Sequence, residues 1–153
     1  MRDILSAAML TLSVPVLAAQ PMTFAPRDSG FVVSSTASGA VRKDGPFLAV
    51  TLARHTLRAG KESKTPTKVI GYRVGLARNN AQGFWDIERW SDVVPVQASM
   101  ATGDTKQLPT TLSLIPIDNL PSLRGTWLVI QVEVQREGVV GSTYSHSSEL
   151  TLD

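Results

Sequence analysis

The run from Phe84 to Trp90 concentrates the side chains in this chain that could hold a ligand. Alternate side chains of a β-strand point to opposite faces, so the run predicts one face that carries two carboxylates between two aromatic rings: Phe84, Asp86, Glu88 and Trp90. Such a face could hold a sugar or a cation through ring stacking and carboxylate acceptors. The alternative is an edge strand that buries Trp85 and Ile87 and keeps its charges in solvent.

Residues that could carry out catalysis or bind a metal are sparse. The two histidines, His55 and His146, are far apart in the sequence, and a hydrogen-bonded histidine in the protein interior explains either of them. The absence of cysteine excludes a disulfide framework, a thiolate zinc site, an iron–sulfur cluster and a cysteine nucleophile. Serine and aspartate are plentiful, but no G-x-S-x-G motif forms a nucleophile elbow. The sequence therefore predicts a protein that is not an enzyme and that uses no metal or cofactor.

Positive charge is concentrated in the segment 54–78. The whole chain has 15 basic and 13 acidic residues, a net charge of +2. The segment carries one acidic residue, Glu62, and seven basic ones: Arg54, Arg58, Lys61, Lys64, Lys68, Arg73 and Arg78. This distribution favours an anionic partner or contact with a second copy of the chain. The alternative is a solvated loop paired with acidic residues of the same fold. No aromatic residues interleave with the cations as in a nucleic-acid groove, so no nucleic-acid partner is expected.

The N-terminal residues predict export. Residues 4–19 are uncharged and predominantly apolar, and at about 16 residues they are shorter than the roughly 20 that a membrane-spanning helix needs. Small residues near Ala18 and Ala19 suit cleavage by signal peptidase, so residues 1–19 are interpreted as a signal peptide. A buried N-terminal helix is the alternative. The mature chain is expected to be periplasmic or secreted, with no membrane contact after cleavage.

Apolar residues in the rest of the chain recur mainly at every second position, which is typical of β-strands. About seven short runs show this alternation, among them the run with Leu48, Val50 and Leu52 and the stretches 84–96 and 108–117, and each is predicted to form a strand. Turn-forming sequences such as Glu137-Gly138 separate the runs. Residues 20–30 include prolines and a serine and show little alternation, which predicts a loose arm. For residues 31–153 the pattern predicts an antiparallel β-sandwich of about seven strands, immunoglobulin-like or fibronectin III-like. A small barrel is the alternative.

The run from Leu123 to Val134 resembles the entry to strand F of fibronectin III-like domains, where a Gly-Thr turn leads into alternating apolar residues. The order of the strands at 70–83, 111–117 and 126–138 is similar to that of the small periplasmic chaperones of curli assembly, which keep amyloid fibre subunits soluble. The resemblance implies a protein that binds an exported partner, acidic or fibre-forming, without catalysis. A carbohydrate- or small-ligand-binding module and a secreted inhibitor of a hydrolase are the alternatives.

Overall fold

The computed structural model describes residues 19–26, 33–60 and 65–152, and these residues form ten β-strands and no helix. The predicted signal peptide lies outside the described residues except for Ala19. The strands are β1 Gln20–Pro26, β2 Val33–Asp44, β3 Phe47–Ala59, β4 Thr67–Asn79, β5 Trp85–Trp90, β6 Val94–Met100, β7 Thr105–Gln107, β8 Thr111–Pro116, β9 Thr126–Arg136 and β10 Val139–Glu149. The predicted all-β, antiparallel, sandwich-like fold is confirmed, with ten strands rather than about seven.

The additional strands have local causes. Residues 20–26, predicted as part of a loose arm, form β1, whose Met22 and Phe24 are buried. Two apolar residues are too few to reveal a strand by alternation alone. The stretch 84–96, predicted as one strand, divides into β5 and β6 because the Ser91 N–H donates to the Val74 carbonyl and Val74 N–H donates to Ser91 Oγ. The third addition, β7, has only three residues.

All strand pairs are antiparallel, and β1 belongs to both sheets. Its residues Gln20–Phe24 pair with β2, and Ala25 and Pro26 pair with β10. We call the group β1-β2-β3 sheet 1, with β7 and β8 following one another along the outer side of β3. Sheet 2 is the group β1-β10-β9-β4, with β5 and β6 along the outer side of β4. The two sheets are thus joined at β1 and open at the opposite side.

The core lies between the inner faces of the two sheets. Most core side chains follow the alternation seen in the sequence, including Leu48, Val50 and Leu52 of β3, all fully buried. Burying a side chain of this size stabilises the fold by about 1.5–3 kcal/mol relative to leaving it exposed. In β4 a register shift between Val69 and Gly71 places Val69 in the core and leaves Ile70 half-buried, contrary to the simple alternation.

The predicted turn at Glu137-Gly138 is confirmed. Both residues have positive φ, 51° and 79°, as a two-residue type I′ turn between strands requires. The turn fixes the register of β9 against β10, beginning with Arg136 opposite Val139. Within the described ranges, no helix reaches the length and apolarity that crossing a bilayer requires.

Candidate functional site

The predicted basic segment is distributed over both sheets. Arg54 and Arg58 are exposed on β3 of sheet 1, whereas Lys68, Arg73 and Arg78 belong to β4 of sheet 2. Lys61 and Lys64 lie outside the described residues. The five described cations therefore do not form one continuous patch, because the chain passes from one sheet to the other between Arg58 and Lys68.

Two of these cations make contacts within the protein. Arg78 Nε donates to Glu88 Oε1 at 2.6 Å, and its two terminal nitrogens donate to the carbonyls of Ser122 and Arg124. The Arg73 guanidinium lies 3.7 Å from the centre of the Trp90 ring, and its Nε donates to Gln131. Arg78 therefore ties β5 and the segment before β9 to β4, and Arg73 holds Trp90 on the sheet.

The residues predicted as one ligand face are divided by a bulge in β5. Trp90 lies opposite Gly75, Ile87 lies opposite Ala77, and the register shifts by one residue between these pairs. The shift places Trp90 on the same face as Ile87, where both would contact a Cβ atom at Gly75.

The other predicted members of that face are separated from Trp90. Asp86 lies opposite Arg78, whose side chain binds Glu88. Phe84 precedes β5 and is 71% exposed. The expected face of two carboxylates between two rings does not form, because the bulge interrupts the alternation at Glu88.

All three tryptophans of the chain instead lie half-buried on the outer face of sheet 2. Trp85 makes edge-on contacts with Tyr144 and His146, at centroid distances of 5.6 and 5.3 Å. Trp127 Nε1 donates to His146 Nδ1 at 3.2 Å. We call the three tryptophans, together with Tyr144 and His146, the aromatic layer. This layer covers the outer face of the sheet, which explains why Ala77 and Val129 are fully buried although they point away from the core.

His55 is buried in the core and takes no part in the outer layer. Its Nε2 lies 3.0 Å from Ser35 Oγ, and its ring stands edge-on to Tyr72 at 4.7 Å. Burial lowers the pKa of His55 to about 4, so the ring is neutral near pH 7. Over the residues that the structure describes, no group of three histidine, aspartate or glutamate side chains is placed to hold a metal ion.

Four of the described strands pair on one side only, and β8 differs from the other three. Strand β5 carries three charged residues and a bulge, β6 contains Pro95 and a register shift, and β7 has three residues including Lys106. Charges, prolines, bulges and short length all discourage another chain from pairing with an edge. Strand β8, with the sequence Thr-Leu-Ser-Leu-Ile-Pro, ends in a proline but has no charged residue, and it pairs with β3 over six residues without a register shift.

The backbone of β8 alternates between β3 and the open side. The Ile117 N–H donates to Pro46 O at 2.8 Å, which in the antiparallel pattern directs the backbone groups of Ser113 and Ile115 towards β3. The backbone groups of Leu112 and Leu114 then point to the open side of the sheet. Their side chains are exposed on the outer face, 57% and 42%, and so is Phe47 nearby on β3. Among the residues that the structure describes, strand β8 thus offers both unpaired backbone groups and an apolar surface, and we call it the open edge.

The open edge is held at both ends by contacts to sheet 2. At its start, the hydroxyls of Tyr72 and Thr111 are 2.6 Å apart. Beyond its end, Arg89 donates to the carbonyl of Asp118. Burial raises the pKa of the Tyr72 hydroxyl, although its hydrogen bond to Thr111 acts in the opposite direction. An edge fixed in this way loses little conformational entropy when another strand pairs with it.

The sequence predicts a strand over 108–117 but does not reveal that it is an edge. Leu112 and Leu114 alternate with Ser113 and Ile115, so both faces of the strand carry apolar residues. The signal that could have singled out this strand is the absence of charge in a short alternating run.

No model of a known protein family matches the chain. The curated proteins likewise contain no significant match.

Proposed function

We propose that this protein binds other proteins by accepting an extended segment of the partner alongside β8. The observation that carries the proposal is the uncharged, regularly paired open edge, whose Leu112 and Leu114 expose both backbone groups and side chains. An added strand satisfies the free N–H and C=O groups and covers the two leucines. The activity needs no catalytic residue.

The partner is an exported protein that is acidic or forms fibres. Support for an acidic partner comes from the position of Arg58. This residue lies on the outer face of β3 together with Thr51, and Thr51 is opposite Leu112 of the open edge. Arg54, exposed three residues from Thr51, adds a second cation. Support for a fibre-forming partner comes from the resemblance to curli-assembly chaperones. A protein that pairs with the strands of a fibre subunit would occupy the edges that the subunit needs for assembly.

The proposal is tested by placing charge on the open edge. The variant Leu112→Lys/Leu114→Lys introduces two cations on an edge that has none. The matched control is Val139→Lys/Val140→Lys, which adds the same charge at two exposed valines of the β9–β10 hairpin. Fibre formation by a purified curli-type subunit is followed by thioflavin fluorescence with each protein present. We expect the unmodified protein and the control to lengthen the lag phase, and the open-edge variant to have no effect.

Hydrogen exchange provides a second measurement on the same samples. The amides of Leu112 and Leu114 should exchange more slowly when the subunit is bound, because they become hydrogen-bonded. Equal delay by the open-edge variant and the unmodified protein, or unchanged exchange at these two amides, would refute binding at β8.

A second candidate, sugar binding, is favoured by a groove at the border of the aromatic layer. The groove has a volume of about 470 Å³ and is lined by Trp127 and His146 together with the polar residues Asn79, Ser147 and Glu149. An aromatic ring beside amide, hydroxyl and carboxylate groups suits a pyranose. Titration of tryptophan fluorescence with a glycan panel tests this candidate, and Trp127→Phe should abolish any change that a sugar produces.

A further inference from the structure

A cleft of about 290 Å³ opens between the two sheets next to the start of the open edge. One wall is formed by Val94 and Val96 of β6, which belong to sheet 2. The opposite wall is formed by Leu108 and Pro109, in the segment that joins β7 to β8 of sheet 1. The cleft therefore lies on the side of the sandwich opposite to β1, where the sheets are not joined.

The chemistry of the cleft suits an apolar group. Its walls are valine, leucine and proline side chains, and the hydroxyls of Tyr72 and Thr111 at its end already bind each other. The cleft is also lined by Lys106, an exposed residue that brings a positive charge to it. An apolar side chain in the cleft would contact these apolar walls, and an acidic group near it would lie close to the lysine.

A partner segment that pairs with β8 would extend towards this cleft. A segment that pairs antiparallel with β8 runs from Pro116 towards Thr111, since β8 itself runs from Thr111 to Pro116. Continued beyond Thr111, the segment passes Pro109 and reaches Lys106. Alternate side chains of an added strand point towards the space between the sheets, which is where the cleft lies.

We propose that the cleft receives one large apolar side chain near the C-terminal end of the bound segment, and that Lys106 binds an acidic side chain two residues further on, on the same face of the segment. The inference rests on the proposed function and specifies its partner as an extended segment with an apolar-acidic pair. The open edge supplies general affinity for strands, and the cleft selects among them.

Three fluorescein-labelled peptides test this selection by fluorescence anisotropy. The first is Thr-Val-Thr-Val-Thr-Phe-Thr-Asp-Ser, the second has Ala in place of Phe, and the third has Lys in place of Asp. The unmodified protein should bind the first peptide about 10- to 100-fold more tightly than the second, because the phenyl ring is removed from water. It should bind the first about two- to fivefold more tightly than the third, as for an exposed ion pair.

Two kinds of variant distinguish side-chain binding in the cleft from strand pairing at the open edge. Val96→Phe fills the cleft and should remove the preference for Phe over Ala, and Val94→Phe does so from a neighbouring position if the first variant unfolds. Val139→Phe, at an exposed residue outside the cleft, is the control. Lys106→Glu should reverse the preference between the peptides with Asp and Lys.

The outcomes distinguish the two proposals. If folded Val96→Phe and Val94→Phe retain the preference for Phe, the inference about the cleft is overturned while binding at β8 stands. If Leu112→Lys/Leu114→Lys binds the three peptides as the unmodified protein does, the proposed function is overturned. Failure of the unmodified protein to bind any of the three overturns both.

Discussion

The hydroxyl oxygen of Tyr72 lies 2.6 Å from Oγ1 of Thr111, a residue 39 positions further along the chain. Tyr72 belongs to β4 of sheet 2, and Thr111 is the first residue of β8 in sheet 1. The Tyr72 ring also packs edge-on against His55 of β3. One buried side chain therefore joins the interior of sheet 1 to the start of the open edge, across the gap between the sheets.

Removal of the Tyr72 hydroxyl should lower the free energy of unfolding by about 1 kcal/mol, since a partly buried hydrogen bond is lost. Thr111→Val should have a similar effect, and the double variant Tyr72→Phe/Thr111→Val should cost less than the sum of the two. Urea unfolding of the four proteins measures the coupling. Strictly additive losses would show that the two hydroxyls do not stabilise each other.

Stability should fall as the pH is lowered, in part through His55. Its folded pKa of about 4 is below the unfolded value of 6.5, so the unfolded chain takes up the proton first. The stabilisation is present above pH 6.5 and is lost as the pH falls towards 4, by about 2–3 kcal/mol at pH 4.5. Urea unfolding at pH 7 and pH 4.5 measures the loss. His55→Leu removes the titrating group and should reduce the difference by that amount. An unchanged difference in the variant would exclude His55 as the cause.

Two glycines should differ in their tolerance of alanine. A Cβ atom at Gly75 would lie 2.8 Å from atoms of Ile87 and Trp90, side chains that can shift, and the cost should be about 1–3 kcal/mol. A Cβ atom at Gly39 would overlap the backbone oxygen of Thr51, within the paired strands β2 and β3. We expect Gly39→Ala to lower the melting temperature more than Gly75→Ala, and only Gly75→Ala to shift tryptophan emission directly. The reverse order of melting temperatures would contradict this packing.

Arg78→Lys should destabilise the protein by about 1–2 kcal/mol. The guanidinium binds Glu88 and two backbone carbonyls at once, and a single amine cannot reproduce that geometry. Glu88→Gln removes only the ion pair and should cost less than about 1 kcal/mol, because both side chains are partly exposed. Urea unfolding compares the two variants. An equal loss in both would mean that the carbonyl contacts contribute nothing.

Charge reversal at Arg54 and Arg58 should weaken binding of an acidic partner. Both residues are exposed on β3, which carries the open edge. The affinity of Arg54→Glu/Arg58→Glu for the first of the three peptides, which carries an aspartate, should fall at low ionic strength and approach that of the unmodified protein in about 0.5 M salt. Lys68→Glu, exposed on sheet 2, is the control and should have little effect. Unchanged binding by the double variant would exclude steering by these arginines.

The local features of the fold could be predicted from the sequence. The alternation of Leu48, Val50 and Leu52 predicts which face of β3 is buried, and Glu137-Gly138 predicts a tight turn. Both depend on short stretches of chain, because strand periodicity and positive φ are properties of neighbouring residues. Together with the turn signals elsewhere, they were sufficient for the antiparallel all-β class.

The tertiary structure decided the features that depend on pairing. The bulge at Glu88 placed Trp90 beside Ile87, because the face that a side chain occupies follows the register with β4. Residues 20–26 became a strand because β2 and β10 provide partners for them. Strand β8 became an open edge because it pairs with β3 alone in the described chain. Alternation identifies a strand from its own residues, but edges and registers arise between segments far apart in the sequence.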